Sequence, residues 1–204
     1  MKTSTDYKNM ALRSLEGNWG KAAVASLIIF VILEIIGSSP SYFMDPVPGM
    51  IGQGFVTILL LPLAWGFMVY FLRMARQEDI AYERLFDGFS QYVRIFLAEL
   101  LKGIYVLLWM LLLIVPGIVK DYSYAMTEFI LADHPEMSGE EAICESMRMM
   151  QGHKIELFWL DLSMIGWLIL SILTLGIGFL FSVPYLYTAH AHFYEELKAD
   201  ISTL

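Results

Sequence analysis

Phe55-Val56-Thr57-Ile58-Leu59-Leu60-Leu61-Pro62-Leu63-Ala64-Trp65-Gly66-Phe67-Met68-Val69-Tyr70-Phe71-Leu72-Arg73-Met74 is the stretch that decides the fold, because Arg73 is its one charged residue. A helix of ~20 mostly apolar residues crosses a bilayer core roughly 30 Å thick. Comparable runs recur at Ala22 to Ile36, interrupted by Glu34, at Ile95 to Val115, with Glu99 and Lys102 in its first turns, and at Leu157 to Leu175, containing Asp161. A weaker run, Ile118 to Leu131, carries Lys120, Asp121 and Glu128, and Gly178 to Tyr194 includes Pro184, His190 and His192. The pattern predicts an all-α polytopic membrane bundle, six transmembrane helices arranged as three hairpins. The run from Ile118 has an alternative as a re-entrant or interfacial helix.

The composition agrees. Of 204 residues, 57% are hydrophobic and 17% charged, against roughly 45–50% and ~25% in soluble domains. Mean hydropathy is +0.59. Cys144 is alone, so no internal disulfide can form and the redox compartment is left open. A net charge of −8 argues against non-specific nucleic-acid binding, which needs a basic face. Residues 1–20 are polar and resemble no cleavable signal peptide; the first apolar run reads as a retained anchor.

Orientation follows from the basic residues, which resist translocation. With six spans, twelve of thirteen Lys and Arg fall on one side and Lys120 on the other. This predicts a bacterial cytoplasmic membrane protein, multi-pass, with both termini cytoplasmic. The opposite face holds only the Ser38 to Gln53 connection, with Pro40, Pro46, Pro48 and Asp45, and two tight turns, Val115-Pro116-Gly117 and Thr174 to Gly178.

The cytoplasmic mass reads as amphipathic helices lying at the interface. Tyr82, Leu85, Phe86, Phe89 and Val93 share one helical face. Ser138-Gly139-Glu140-Glu141 is a capping box ahead of Ile143, Met147 and Met150, and Tyr7, Met10 and Ala11 form a shorter stripe. Each stretch ends at a glycine, Gly17, Gly88 or Gly152, before a span begins. Pro62, Pro116 and Pro184 recur in the returning spans. Tyr70 and Tyr124 lie eight residues past their proline and Asp79 and Asp133 seventeen past, with Asp200 sixteen past Pro184. Within a single domain, 1–204, we read three parallel copies of one unit, 1–79, 80–133 and 134–204. Coincidence among helical hairpins is the competing explanation.

Val115-Pro116-Gly117-Ile118-Val119-Lys120, Tyr122-Ser123-Tyr124-Ala125-Met126, Ile130-Leu131-Ala132-Asp133 and Met149-Met150-Gln151-Gly152-His153-Lys154 carry a family likeness. So do Asp161 to Trp167, Leu173 to Gly178 and the early Leu15-Glu16-Gly17-Asn18-Trp19. The chain resembles the bacterial integral-membrane family known as domain of unknown function 975. More distantly it is similar to the membrane portion of some glycerophosphodiester phosphodiesterases, without any counterpart of their catalytic barrel. The resemblance implies a membrane bundle and transfers no catalytic residue.

Ionisable groups inside a bilayer are costly and carry a functional hypothesis by default. Glu99, Lys102, Glu128, Asp161, His190 and His192 all fall within roughly two turns of the cytoplasmic span ends, at ~1.5 Å per residue, and form a candidate polar layer. One reading is a cytoplasm-facing cavity in which Lys102 meets an anionic ligand and Glu128 or Asp161 relays protons. The other is that Lys102 pairs with Glu99 on its own helix and with Asp161 or Glu128 across helices, the rest snorkelling to the headgroups. His190 and His192 point about 200° apart on a helix, so they do not share a metal; no metal and no cofactor is expected. His134, His153 and Cys144 lack ligand spacing, and Met147, Met149 and Met150 read as packing or as a soft docking surface. Gly176 and Gly178 follow a span rather than a strand and make a turn.

No nucleophile elbow, P-loop or zinc motif is present, so the sequence nominates no enzyme. It points to a non-enzymatic module that binds membrane lipids or partner proteins in envelope homeostasis, either another membrane protein or a second copy. The alternatives are a small carrier or channel for a solute or lipid, and an accessory subunit of a membrane enzyme.

Overall fold

The computed structural model describes residues 2–37 and 46–202. Every regular element among them is helical. In chain order these are α1 (Ser4–Leu15), α2 (Trp19–Gly37), α3 (Pro46–Ala75), a 3-10 helix (Tyr82–Gln91), α4 (Tyr92–Leu112), α5 (Ile114–Tyr124), α6 (Thr127–Asp133), α7 (Gly139–Met149), α8 (Lys154–Leu173) and α9 (Phe179–Ser202). Four stretches are long and apolar enough to cross a membrane: Trp19–Ile36, Met50–Ala75, Tyr82–Leu112 and Lys154–Leu173.

The two remaining apolar runs differ from these for physical reasons. The run from Ile118 is divided into α5 and α6. At the break the Met126 N–H donates to Ser146 Oγ at 3.1 Å, and Ser146 Oγ donates to the Ser123 carbonyl at 2.9 Å. One hydroxyl from α7 thus replaces helical backbone partners, which a buried chain must find somewhere. The last run is one helix, α9, but too polar to count by hydropathy alone. It packs against α1, α2, α3 and α8 and buries Thr188, Ala189, Phe193 and Tyr194 among them. A helix covered by other helices has no need of an apolar surface all round.

Several boundaries also shift. Residues 38–45, with Pro40 and Asp45, lie outside the described residues, and 46–53 are the first turns of α3 rather than part of a loop. Val115-Pro116-Gly117 sits in the first turn of α5, where a proline's missing donor costs nothing, so Leu113 alone joins α4 to α5. The Tyr82 to Val93 segment is a 3-10 helix followed by α4. Leu85 is buried against α3, while Tyr82, Phe86, Phe89 and Val93 face outward.

That 3-10 helix lies directly on α3. A Cβ at Gly88 would collide with the Pro62 carbonyl, and one at Gly66 with the Leu85 carbonyl. Pro62 cannot donate to the Ile58 carbonyl, which instead accepts from Tyr92 Oη at 3.3 Å. Gly17 and Gly152 end α1 and α7 with φ of +78° and +90°, the left-handed geometry that glycine adopts without strain. Both short helices α1 and α7 begin with a reciprocal capping box, Thr3 with Asp6 and Ser138 with Glu141.

The α8–α9 turn is closed on itself. Each backbone N–H from Thr174 to Ser182 has an acceptor inside the hairpin, the Gly178 N–H using Thr174 Oγ1. Helix starts ordinarily leave such donors to water. Here Leu175 is 95% exposed, yet its tip asks nothing of water, the condition hydrocarbon imposes on a backbone.

Candidate functional site

The structure divides the six polar residues into three separate groups. Lys102, on α4, stands between Glu99, 3.0 Å away one turn earlier, and Glu128 on α6, with which its ammonium is in direct contact. The Glu128 side chain is only 8% exposed, and Trp65 Nε1 donates to the Glu128 carbonyl at 3.1 Å. Asp161, on α8, accepts from Tyr122 Oη at 2.9 Å and lies 2.5 Å from His190 Nε2 on α9. His192 turns to the other side of α9 and meets Ser14 Oγ of α1 at 2.8 Å. Lys102, the Asp161–His190 pair and His192 therefore belong to three different helix contacts rather than to one chamber.

These partners stitch α4 to α6, α5 to α8 and α9, and α1 to α9. Five clefts formed by the described residues are lined by none of the six. Among the described residues no three His, Cys, Asp or Glu side chains gather closely enough to hold a metal ion. Lys120, which the sequence reading sets apart from the other basic residues, leans back over the Trp109 ring at 5.1 Å and lies 3.9 Å from Met147 Sδ of α7.

A larger ionic cluster escaped the sequence reading. Asp133, at the end of α6, accepts from Arg76 Nη1 and Nη2 at 2.7 Å each, from Lys198 Nζ at 2.6 Å and from Tyr194 Oη at 2.9 Å. Arg76 Nε also donates to Glu195 at 2.7 Å. The cluster ties together the ends of α3, α6 and α9. Burial works to raise the Asp133 carboxyl, but the hydrogen bonds from Arg76 and Lys198 and the Arg76 charge outweigh it and hold the group at about 2. Burial likewise works to lower Arg76, and its bonds to Asp133 and Glu195 more than reverse this. The proline-to-aspartate spacing had picked out Asp133, yet Asp79 at the matching place is exposed, so spacing alone did not reveal the partners.

Arg94 performs a related task from α4. Its guanidinium donates to the carbonyls of Leu131, His134 and Met137 at 2.7, 2.9 and 3.1 Å, which cap the end of α6.

Two clefts are lined mostly by apolar side chains. One of about 370 Å³ lies between Leu12, Trp19, Trp167, Phe181 and Tyr185. Another of about 820 Å³ separates Leu27, Phe30 and Leu33 of α2 from Leu175, Phe179 and Leu180 of the α8–α9 turn.

Four membrane-length apolar helices, with charged groups spent on one another at the helix contacts, define an all-helical, membrane-associated protein. The chain belongs to the family described as protein of unknown function DUF975, which matches residues 1–120 and 110–200. No curated protein and no solved structure matches it. The more distant likeness to glycerophosphodiester phosphodiesterases finds no support in these comparisons.

Proposed function

We propose that this protein is a non-enzymatic, lipid-binding module of the bacterial cytoplasmic membrane that serves envelope homeostasis. Its six apolar segments pair as three hairpins, α2–α3, α4 with α5–α6, and α8–α9, with both termini cytoplasmic. Helix α1 and the 3-10 helix lie at the cytoplasmic interface, where the outward Phe86 and Phe89 reach lipid.

One observation carries the lipid reading: the clefts of about 370 and 820 Å³ lie between helices and are lined mostly by apolar side chains, with Glu34 the one charged residue among them. Acyl chains are the matter that meets such clefts within a bilayer. A carrier built on Lys102 would need that ammonium free for its cargo, whereas Glu99 and Glu128 already occupy it. Partner proteins, including a second copy, are read as neighbours in the membrane rather than as substrates.

Native mass spectrometry on protein released from nanodiscs tests the reading. Retained phospholipid at low stoichiometry is the expected result. A bare monomer, or a stoichiometric protein partner with no lipid, would overturn it. Orientation is tested separately by an impermeant thiol reagent on intact cells, from which the native, exposed Cys144 should be shielded.

A further inference from the structure

One cavity differs in character from the apolar clefts. It measures about 420 Å³, inside the roughly 300–1,000 Å³ typical of small-ligand sites. It lies between the α1–α2 elbow and the segment that follows α3. Arg13, Glu16 and Lys21 stand on the elbow wall, and Glu78 and Asp79 on the opposite wall.

Most charges of this protein have a partner: Lys2 with Glu196, Arg73 and Arg84 with Asp87, Arg148 with Glu145, and Arg76 and Lys198 with Asp133. Among the described residues, the side chains of Arg13, Glu16, Lys21, Glu78 and Asp79 make no hydrogen bond or ion pair with another residue, although all five surround one cavity. Lys8, Glu83, Asp121, Glu140 and Lys154 are likewise unpaired but do not line it. Both walls turn on left-handed backbone, at Gly17 with φ +78° and at Gln77 with φ +59°. The second is a conformation that side-chain-bearing residues seldom hold, and such departures concentrate at ligand sites.

The sign of the charges selects the ligand. Three carboxylates against two cations disfavour a simple anion, and a guanidinium with an ammonium on one wall disfavours a simple cation. We propose that the cavity binds a zwitterion carrying a phosphate and a primary ammonium, the headgroup chemistry of phosphatidylethanolamine. The phosphate lies against Arg13 and Lys21, where a guanidinium can grip it bidentately, and the ammonium against Glu78 and Asp79. The same elbow turns Leu12 and Trp19 into the neighbouring cleft of about 370 Å³, so a polar and an apolar receptacle adjoin. This inference rests on the lipid-binding reading above and gives it a headgroup.

The test places the full chain in nanodiscs of phosphatidylglycerol containing a minor share of phosphatidylethanolamine, with bound lipid identified by native mass spectrometry. Wild-type protein should retain phosphatidylethanolamine at least tenfold above its share. R13Q/K21Q should abolish that enrichment. E78Q/D79N should reverse it towards phosphatidylglycerol, since Arg13 and Lys21 then outnumber the one remaining carboxylate, Glu16. All four side chains are exposed and unpartnered, so melting midpoints should not move, and K21M and D79N singly serve if a double variant accumulates poorly. Titration with free O-phosphoethanolamine separates the sources. Saturable binding assigns a soluble zwitterion to the cavity, and no binding alongside retained lipid assigns the headgroup. Variants that retain phosphatidylethanolamine like wild type overturn the site while leaving the lipid-binding reading intact. Wild-type protein that carries neither lipid nor phosphoethanolamine overturns both.

Discussion

Replacing Lys102 by methionine removes the cation held between Glu99 and Glu128, and the structure sets the size of the effect. Glu128 is 8% exposed in its side chain and Glu99 20%, so the variant leaves two acidic groups close together with little water to screen them. Removing one partner of a buried pair costs about 3–5 kcal/mol. The partial exposure of Lys102 and Glu99 places this case near the lower end, about 3 kcal/mol. For a chain of this length each kcal/mol moves the melting midpoint by ~2–4 °C, which gives a fall of about 6–12 °C. The assay is thermal unfolding in nanodiscs followed by tryptophan emission, because Trp65 donates directly to the Glu128 backbone. The double variant K102M/E128Q should regain more than half of the loss, since Glu99 then faces a neutral amide. A K102M midpoint within ~1 °C of wild type, together with lost lipid retention, would refute the structural role and return Lys102 to the ligand.

Four other outcomes are expected. The folded Asp133 carboxyl titrates at about 2 against an ordinary 3.8, so its contribution is complete above pH 4 and disappears as pH falls through 2. That difference corresponds to about 2 kcal/mol, and D133N should flatten the acid limb of the stability profile over this window. S146A strips the α5–α6 break of the hydroxyl that serves Met126 and Ser123, at about 1–3 kcal/mol by thermal melting, with no compensating gain of packing. G88A and G66A each drive a methyl group into a backbone carbonyl and should lower stability by about 1–3 kcal/mol or more, whereas G166A, with nothing within 4 Å, should be neutral. Amides 174–182 should exchange slowly with deuterium in nanodiscs despite the exposed Leu175, because each already has an acceptor; fast exchange there would contradict the closed turn.

How much was legible in the chain can be argued from individual elements. The runs around Phe55, Ala22, Ile95 and Leu157 became helices of spanning length because an apolar run specifies its own environment residue by residue. The Ser138 capping box formed as read, since its two hydrogen bonds close within four residues. The Lys102–Glu99 pair is equally local, while the choice of Glu128 over Asp161 as the cross-helix partner was left open by the sequence and decided by how α4 meets α6. Local signals also existed for features that were missed. Thr3 and Asp6 carry the same capping pattern as Ser138 and Glu141, and Asp133 stood in the proline spacing without its partners being visible.

By itself, the sequence determined that the chain is helical and that it carries apolar helices long enough to cross a membrane. Those properties depend on the character of neighbouring residues and on the helical repeat. Only the tertiary structure decided that α9 is wrapped by other helices, that Ser146 closes a break 20 residues away, and that Arg76, Asp133, Glu195 and Lys198 form one cluster. It also decided that Arg13 and Lys21 face Glu78 and Asp79 across a cavity. Each of these joins residues from different helices, and the partner of a buried or cavity-facing group is set by which helix faces meet, which no local pattern encodes.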